Sequence, residues 1–368
     1  MQQMTSRERV QTAFAHREPD KPPRRAPGLA PALCQRLIAE TGATDVAAFF
    51  RSDFRAIAYR PPDALPDFAR YYQRVETPHY FEYGSEYQAE WGVATVPAGY
   101  YHFGGPLFPM RNLSSLAELD AYPFPDYVRD WGHDHFEAEV TRLHDQGYYV
   151  CGPVNRTFQT AWMLTGREKL FQDAAFNALF VDALFERIYQ VNERMAERCA
   201  QAGVDAIAFG DDIGMQDRLM ISPEWYRTWI KPGHARLIAA ARAVNPDIQV
   251  MFHSDGDIHQ VITDLIEVGV TVLTTVQPES MDPLEIKRRY GAHLSLGGTF
   301  GVQSLLPFGT PDEIRAEVRR QAAVMGVGGG FFVSPANTCE PEVPVANVIA
   351  LYDTIDALAC DSSEKSIR

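Results

Sequence analysis

From about residue 147 onward the chain repeats one rhythm six times: a short apolar run of strand length, then a segment of helix length. The runs are "GYYVCGPV", "DAIAFGDD", "IQVMFHSDG", "VTVLTTVQP", "HLSLGGTF" and "GGFFVSPAN". Helices are predicted over roughly 157–201, 222–243, 257–268, 282–290, 311–325 and 344–359. Such units imply a parallel sheet, because each helix is the crossover that carries the chain back to start the next strand in the same direction. Polar residues stand at the C-terminal end of nearly every run, which is where closed barrels build their sites. That favours an α/β fold of the (β/α)8 barrel type over an open doubly wound sheet. The barrel needs two more strands from the first 130 residues, and "KPPRRAPG" is one candidate. No linker divides the chain, so residues 1–368 read as one domain with additions.

The N-terminal third is less regular. Thr5 and Glu8 have capping-box spacing, which predicts a short helix over 5–16. "REPDKPP" stops it, and residues 31–58 read as helical and amphipathic. Residues 61–128 are rich in Pro, Gly and aromatics. Alternation in "EYQAEWGVATV" and "YYHF" predicts a small antiparallel hairpin. The region reads either as a decorated loop or as a lid laying Tyr83, Trp91 and Tyr101 over a ligand.

The chemistry is concentrated at the strand ends. Strand side chains alternate faces, so Val250 and Phe252 point to the helices, while Gln249, Met251 and His253 point to the barrel axis. Asp255 follows His253 onto the inner face if the chain stays extended. A His-x-Asp pair there coordinates a metal, or the carboxylate fixes an imidazole tautomer, or the histidine simply bonds a loop backbone. In "DAIAFGDDIGMQ" parity sends Asp212 inward and Asp211 outward, where it also reads as a helix N-cap. Thr275 and Gln277 share a face in "VTVLTTVQPES". Gln277 reads as a donor to a ligand or as a barrel-layer residue bonded to neighbours. Asn337 and Cys339 end the last run, and Cys339 is either a buried small hydrophobe or a metal ligand. His253, Cys339 and Asp255 together have the residue types of a three-ligand catalytic zinc site with an open fourth position. A thiol substrate bound there would ionise.

Composition narrows the classes. A net charge of −14 argues against nucleic acid and anionic membranes as partners. No apolar run approaches a membrane span, and the charged start is unlike a signal peptide. Five scattered cysteines, none in a CxxC pair, point to a reducing, cytoplasmic setting.

Taken in order, several segments resemble the uroporphyrinogen decarboxylase superfamily. They include "TSRERVQTAFAHREPDKPP", "EWGV", "GDDIGMQ", "ISPEWYRTWIKPGHARLI", "FHSDGDI", "TVQPESMDPLEIKRRYGAHLSLGGTFGVQ" and "GGGFFVSPANTCEPEVPVANVIALY". The resemblance implies a distorted (β/α)8 barrel. True decarboxylases carry an "RQAGRYLP"-like segment that grips substrate carboxylates; here the region reads "PPRRAPGLAPALCQRL". The chain is more similar to the branch of zinc- and corrinoid-dependent methyltransferases. There a His-x-Cys pair and a later Cys hold zinc, and the matching positions are His253, Asp255 and Cys339. Asp in the middle position hardens the site toward oxygen donors. The leading expectation is a zinc-assisted methyltransferase in which Asp211, Asp212, Gln277 and Asp255 are catalytic and Tyr83, Trp91, Tyr101, Asn337 and Gln216 contact the substrate. No DxHxxG cobalamin segment is present, so cobalamin would arrive on a separate corrinoid protein. A homodimer is expected. The alternatives are a carboxy-lyase for another polycarboxylate, with Arg24, Arg25 or Arg111 gripping carboxylates, and a non-catalytic small-molecule-binding barrel.

Overall fold

The computed structural model describes residues 3–72, 79–80, 89–96 and 105–365. In chain order its strands are β1 (Phe54–Ala56), β2 (His79–Tyr80), β3 (Ala94–Val96), β4 (Gly105–Leu107) and β5 (Tyr149–Pro153). They continue with β6 (Ala206–Gly210), β7 (Gln249–His253), β8 (Val272–Leu273) and β9 (Ser295–Leu296). Strands β1 and β5 to β9 form one parallel sheet in that order.

Two short segments close this sheet into a ring. Along one edge, Phe332 N donates to Leu296 O at 3.0 Å. Next, Val333 N donates to Pro23 O at 2.7 Å, and Arg25 N to Val333 O at 2.9 Å. Asp53 N then donates to Arg24 O at 2.9 Å, joining residues 23–25 to the start of β1. Eight extended segments thus complete the predicted barrel, and the "KPPRRAPG" candidate supplies its first. The last predicted run contributes 331–333 as bridges rather than a regular strand.

Residue parity sorts the two sides of the wall. Cys151, Ala206, Met251, Val272 and Phe332 cluster in the interior, and Val10, Ala13 and Phe14 of the first helix pack with them. Ile207, Phe209, Val250 and Phe252 belong to the larger core under the helices. That first helix spans Ser6–Phe14 and has the expected Thr5–Glu8 capping box.

Some expectations are corrected. Residues 31–58 are not one helix. Helices Pro31–Thr41 and Val46–Phe49 are separated after Gly42, whose φ is 72°, and Phe54–Ala56 is the second barrel strand. Asp53 holds that turn to the barrel: its carboxylate accepts from Arg24 N at 2.8 Å and Arg9 Nη1 at 2.6 Å. Residues 157–201 form three helices, Phe158–Thr165, Arg167–Phe176 and Ala178–Gln201, interrupted at Gly166 and Asn177. The predicted hairpin is a three-stranded antiparallel sheet, β2-β3-β4, in which Thr95 pairs with Pro106. Tyr83 and Tyr101 lie outside the described residues. No helix among the described residues is long and apolar enough to cross a membrane.

Candidate active site

Side chains from β6, β7 and the segments after them meet at the C-terminal mouth of the barrel. His253 ends β7 on its inner face, and Asp212 stands two residues beyond the end of β6. His253 Nε2 lies 3.4 Å from Asp255 Oδ1 and 3.7 Å from Asp212 Oδ1. One ligand atom from each of the three lies within 4.8 Å of the others. Each side chain keeps about a third of its surface open.

Two loop backbones must touch to make this cluster. Asp257 N donates to Met215 O at 2.7 Å, and Asp255 N donates to Asp212 Oδ1 at 3.1 Å. A Cβ at Gly214 would sit 2.5 Å from Asp255 O, so only glycine permits that approach. Gly256 turns between the two aspartates with φ of 76°, and its N–H donates to Gln277 Oε1 at 3.2 Å.

A second layer orients the histidine. Thr275 Oγ1 lies 2.6 Å from His253 Nδ1 and 3.0 Å from Ala336 O. The carbonyl can only accept, so the hydroxyl proton goes to Ala336. His253 Nδ1–H therefore donates to Thr275. That assignment leaves Nε2 turned toward the carboxylates, free to hold a proton or present a lone pair. Asn337 Nδ2 donates to Asp255 Oδ2 at 2.5 Å. Asp255 Oδ1 is buried with no hydrogen-bond donor. Burial raises the Asp255 carboxyl to about 6, and Asp212 adds to the rise, while His253 and Arg156 oppose it. An unpartnered carboxylate oxygen, a second acid and an oriented imidazole nitrogen form a donor set suited to a divalent cation.

The mouth differs from the expected site in several ways. Asp211 is fully buried and faces outward. It accepts from Thr157 N at 3.0 Å, Gln159 N at 2.9 Å and His234 Nε2 at 3.0 Å. Those donors include free N–H groups at the start of helix Phe158–Thr165, so the carboxylate is used by the fold. Cys339 has no exposed surface and belongs to the helix-side core, and burial pushes its thiol up to about 12. It does not join His253 and Asp255; Asp212 takes that place. Trp91 is likewise fully buried, edge-on to Phe124 at 6.1 Å, without a face open to a ligand. Gln216 is exposed and donates to Glu279 O at 2.9 Å. Gln277 is nearly buried and braces Gly256. Arg24 points to the helix layer and pairs with Asp356 at 2.5 Å, so it does not face a substrate. Arg25 is on the other face. Burial pushes the interior Cys151 thiol up to about 12, and the Arg25 charge opposes that rise. Sequence reasoning gave no role to Thr275 as the histidine's anchor; it placed Thr275 only on the same face as Gln277.

One full-length match among solved structures agrees with the architecture. No curated protein sequence matches the chain. Among solved structures, a methyltransferase from Methanosarcina mazei superposes with a TM-score of 0.67 at 16% identity. The match covers 96% of this chain and 99% of that one. A psychrophilic glycoside hydrolase family 10 endo-β-1,4-xylanase matches 58% of this chain and 79% of its own at 9% identity, with a TM-score of 0.37. The family model described as uroporphyrinogen decarboxylase (URO-D) matches residues 101–358, well over half the chain. By that match, and in keeping with the barrel and its mouth, the protein belongs to the uroporphyrinogen decarboxylase (URO-D) family.

Proposed function

We propose that the protein is a metal-assisted methyltransferase. It moves a methyl group between a methylated small molecule or corrinoid protein and a thiol or corrinoid acceptor. The observation that carries this reading is the imidazole of His253, oriented by Thr275, between Asp212 and the unpartnered Asp255 oxygen. These three side chains would hold zinc, whose Lewis acidity would lower the pKa of a bound acceptor and present it as an anion. A corrinoid, brought by a separate protein, would supply the methyl-carrying chemistry. The likeness to the Methanosarcina mazei methyltransferase supports the choice of reaction class.

The chain's own residues then have defined tasks. Thr275 fixes the His253 tautomer, Asn337 holds one oxygen of Asp255, and Gln277 braces the turn at Gly256. Gln216, on the exposed loop after β6, contributes to the rim. The protein works as a cytoplasmic homodimer; free thiols at Cys34, Cys151, Cys199 and Cys339 suit a reducing compartment.

One observation favours a second reading, a carboxy-lyase: Arg25 sets a positive charge near the barrel interior, as a carboxylated substrate would require. Two measurements separate these readings. Protein purified without chelator and incubated with zinc is assayed for metal. It is then offered methylcobalamin with a panel of thiols. One zinc per chain, lost in His253→Ala, together with thiol-dependent demethylation of the cobalamin, is the expected outcome. A wild type that holds no metal after zinc incubation overturns the proposal.

A further inference from the structure

Arg156 stands apart from the other arginines. Among the described residues that are buried or half-buried, it alone of this type makes no hydrogen bond, ion pair or ring contact through its side chain. Others of comparable burial are all engaged: Arg9 with Asp20 and Asp53, Arg24 with Asp356, Arg198 with Glu137, and Arg242 with Gly269 O. A guanidinium stays charged at any ordinary pH and carries five donors in a fixed fork. None of its nitrogens is among the buried unpartnered atoms, so water solvates the charge and an arriving anion can take that water's place.

Its position says which acceptor. Arg156 follows β5 by three residues, on the same rim as Asp212, His253 and Asp255. The preceding residue, Asn155, has a buried Nδ2 with no hydrogen-bond partner. Two neighbouring residues therefore present donors with nothing to receive them. The backbone that carries them is fixed. Thr160 Oγ1 donates to Arg156 O at 2.8 Å, and Thr157 N is held by the buried Asp211 carboxylate. The backbone beneath these donors is thus fixed before a ligand binds, and the ligand orders the side chains.

We infer that Arg156, with the Asn155 amide, grips a carboxylate of the small-molecule substrate beside the Asp212–His253–Asp255 cluster. The inference rests on the reading of this mouth as the active site, but not on methyl transfer as its chemistry. It assigns the substrate to the anionic class: one end meets the guanidinium fork, and the reacting end meets the cluster. A neutral isostere loses the charge-assisted pair and leaves the arginine unpaired again.

The test is calorimetric titration of zinc-incubated, full-length protein with matched pairs: 4-methoxybenzoate against 4-methoxybenzamide, and methoxyacetate against methoxyacetamide. The acid of at least one pair is expected to bind about tenfold or more tightly than its amide. Arg156→Gln abolishes that preference without changing zinc content or thermal unfolding, and Arg156→Lys keeps part of it. Should Arg156→Gln fail to fold, phenylglyoxal labelling of the wild type, mapped by mass spectrometry, replaces it: acids protect Arg156 and amides do not. Equal binding of acid and amide overturns the inference, as does a preference that survives Arg156→Gln. Absence of binding by every acid up to about 10 mM also overturns it. Acid preference without methyl transfer would sink the proposed function and leave this assignment standing; methyl transfer without acid preference would do the reverse.

Discussion

His253 Nδ1–H donates to Thr275 Oγ1 at 2.6 Å, and the Thr275 hydroxyl in turn donates to Ala336 O at 3.0 Å. This relay joins β7, the segment after β8 and the last barrel segment, and it fixes which imidazole nitrogen faces the two aspartates. Thr275→Val keeps the shape and removes the acceptor. Zinc affinity is expected to fall by about 10- to 100-fold, because outer partners of a ligating histidine set its tautomer and basicity. Thr275→Ser should restore most of it. Competition with a fluorescent chelator reads both.

The cluster is built from Asp212 rather than Cys339, and that exchange is directly testable. Cys339→Ser is expected to retain zinc at wild-type stoichiometry, because the thiol is buried in the helix-side core. His253→Ala and Asp255→Asn are expected to lose it. Atomic absorption on the dialysed proteins decides, and loss of zinc from Cys339→Ser alone would restore cysteine to the metal site. Native Cys339 should also resist alkylation at pH 8, since burial pushes its thiol up to about 12.

Metal binding should weaken in mild acid. The folded apoprotein holds a proton on Asp255 up to about 6, whereas an ordinary aspartate releases it near 3.8. Protons compete with the metal for that oxygen, so zinc affinity in titrations from pH 8 to pH 5 should fall below about 6, by about tenfold per pH unit. The same shift has a definite sign for stability. Between 3.8 and about 6 the folded state binds the extra proton. The contribution is therefore present in full below 3.8, and it is lost as pH rises through about 6. Bound metal removes the effect, so holoprotein and apoprotein should diverge in urea midpoint above that range.

Neighbouring aspartates at 211 and 212 are expected to behave oppositely. Asp211→Asn leaves His234 and the N–H groups of Thr157 and Gln159 short of their charged acceptor in a fully buried setting. A loss of about 3 kcal/mol follows. Asp212→Asn touches a half-open side chain and should change stability by less than about 1 kcal/mol while removing zinc. Chemical denaturation and metal analysis of the pair separate the two roles; equal stability losses would refute the division.

That division was legible in the sequence, because a two-residue period needs only one correctly placed strand. The parity of "DAIAFGDD" set Asp212 inward and Asp211 outward, and the parity of "IQVMFHSDG" set Met251 and His253 on the axis. Asp211 misled as a catalytic candidate because an acid that braces a helix start has the same local spelling as one that does chemistry. Phe54–Ala56 was hidden for a different reason: three residues give one and a half alternations, too few to stand against a helical context. Cys339 shows where parity stops helping. Past the end of a strand the backbone turns, and the thiol swings into the helix-side core while Asn337 reaches Asp255. Arg156 carried no signal in the sequence, because what distinguishes it is the lack of a partner in space.

The ring of eight segments also has a consequence for how the chain is made. Its first segment, 23–25, bonds to 331–333, so the wall cannot be completed until residue 333 has left the ribosome. Until then Arg24, which pairs with Asp356 across 332 positions, has to wait beside an open sheet edge. The same adjacency makes this seam a natural place to recut the gene. A circular permutant that joins the C-terminal helix to the start of the chain and opens at an exposed loop would turn this long-range pairing into a local one. It should therefore close its barrel sooner during synthesis.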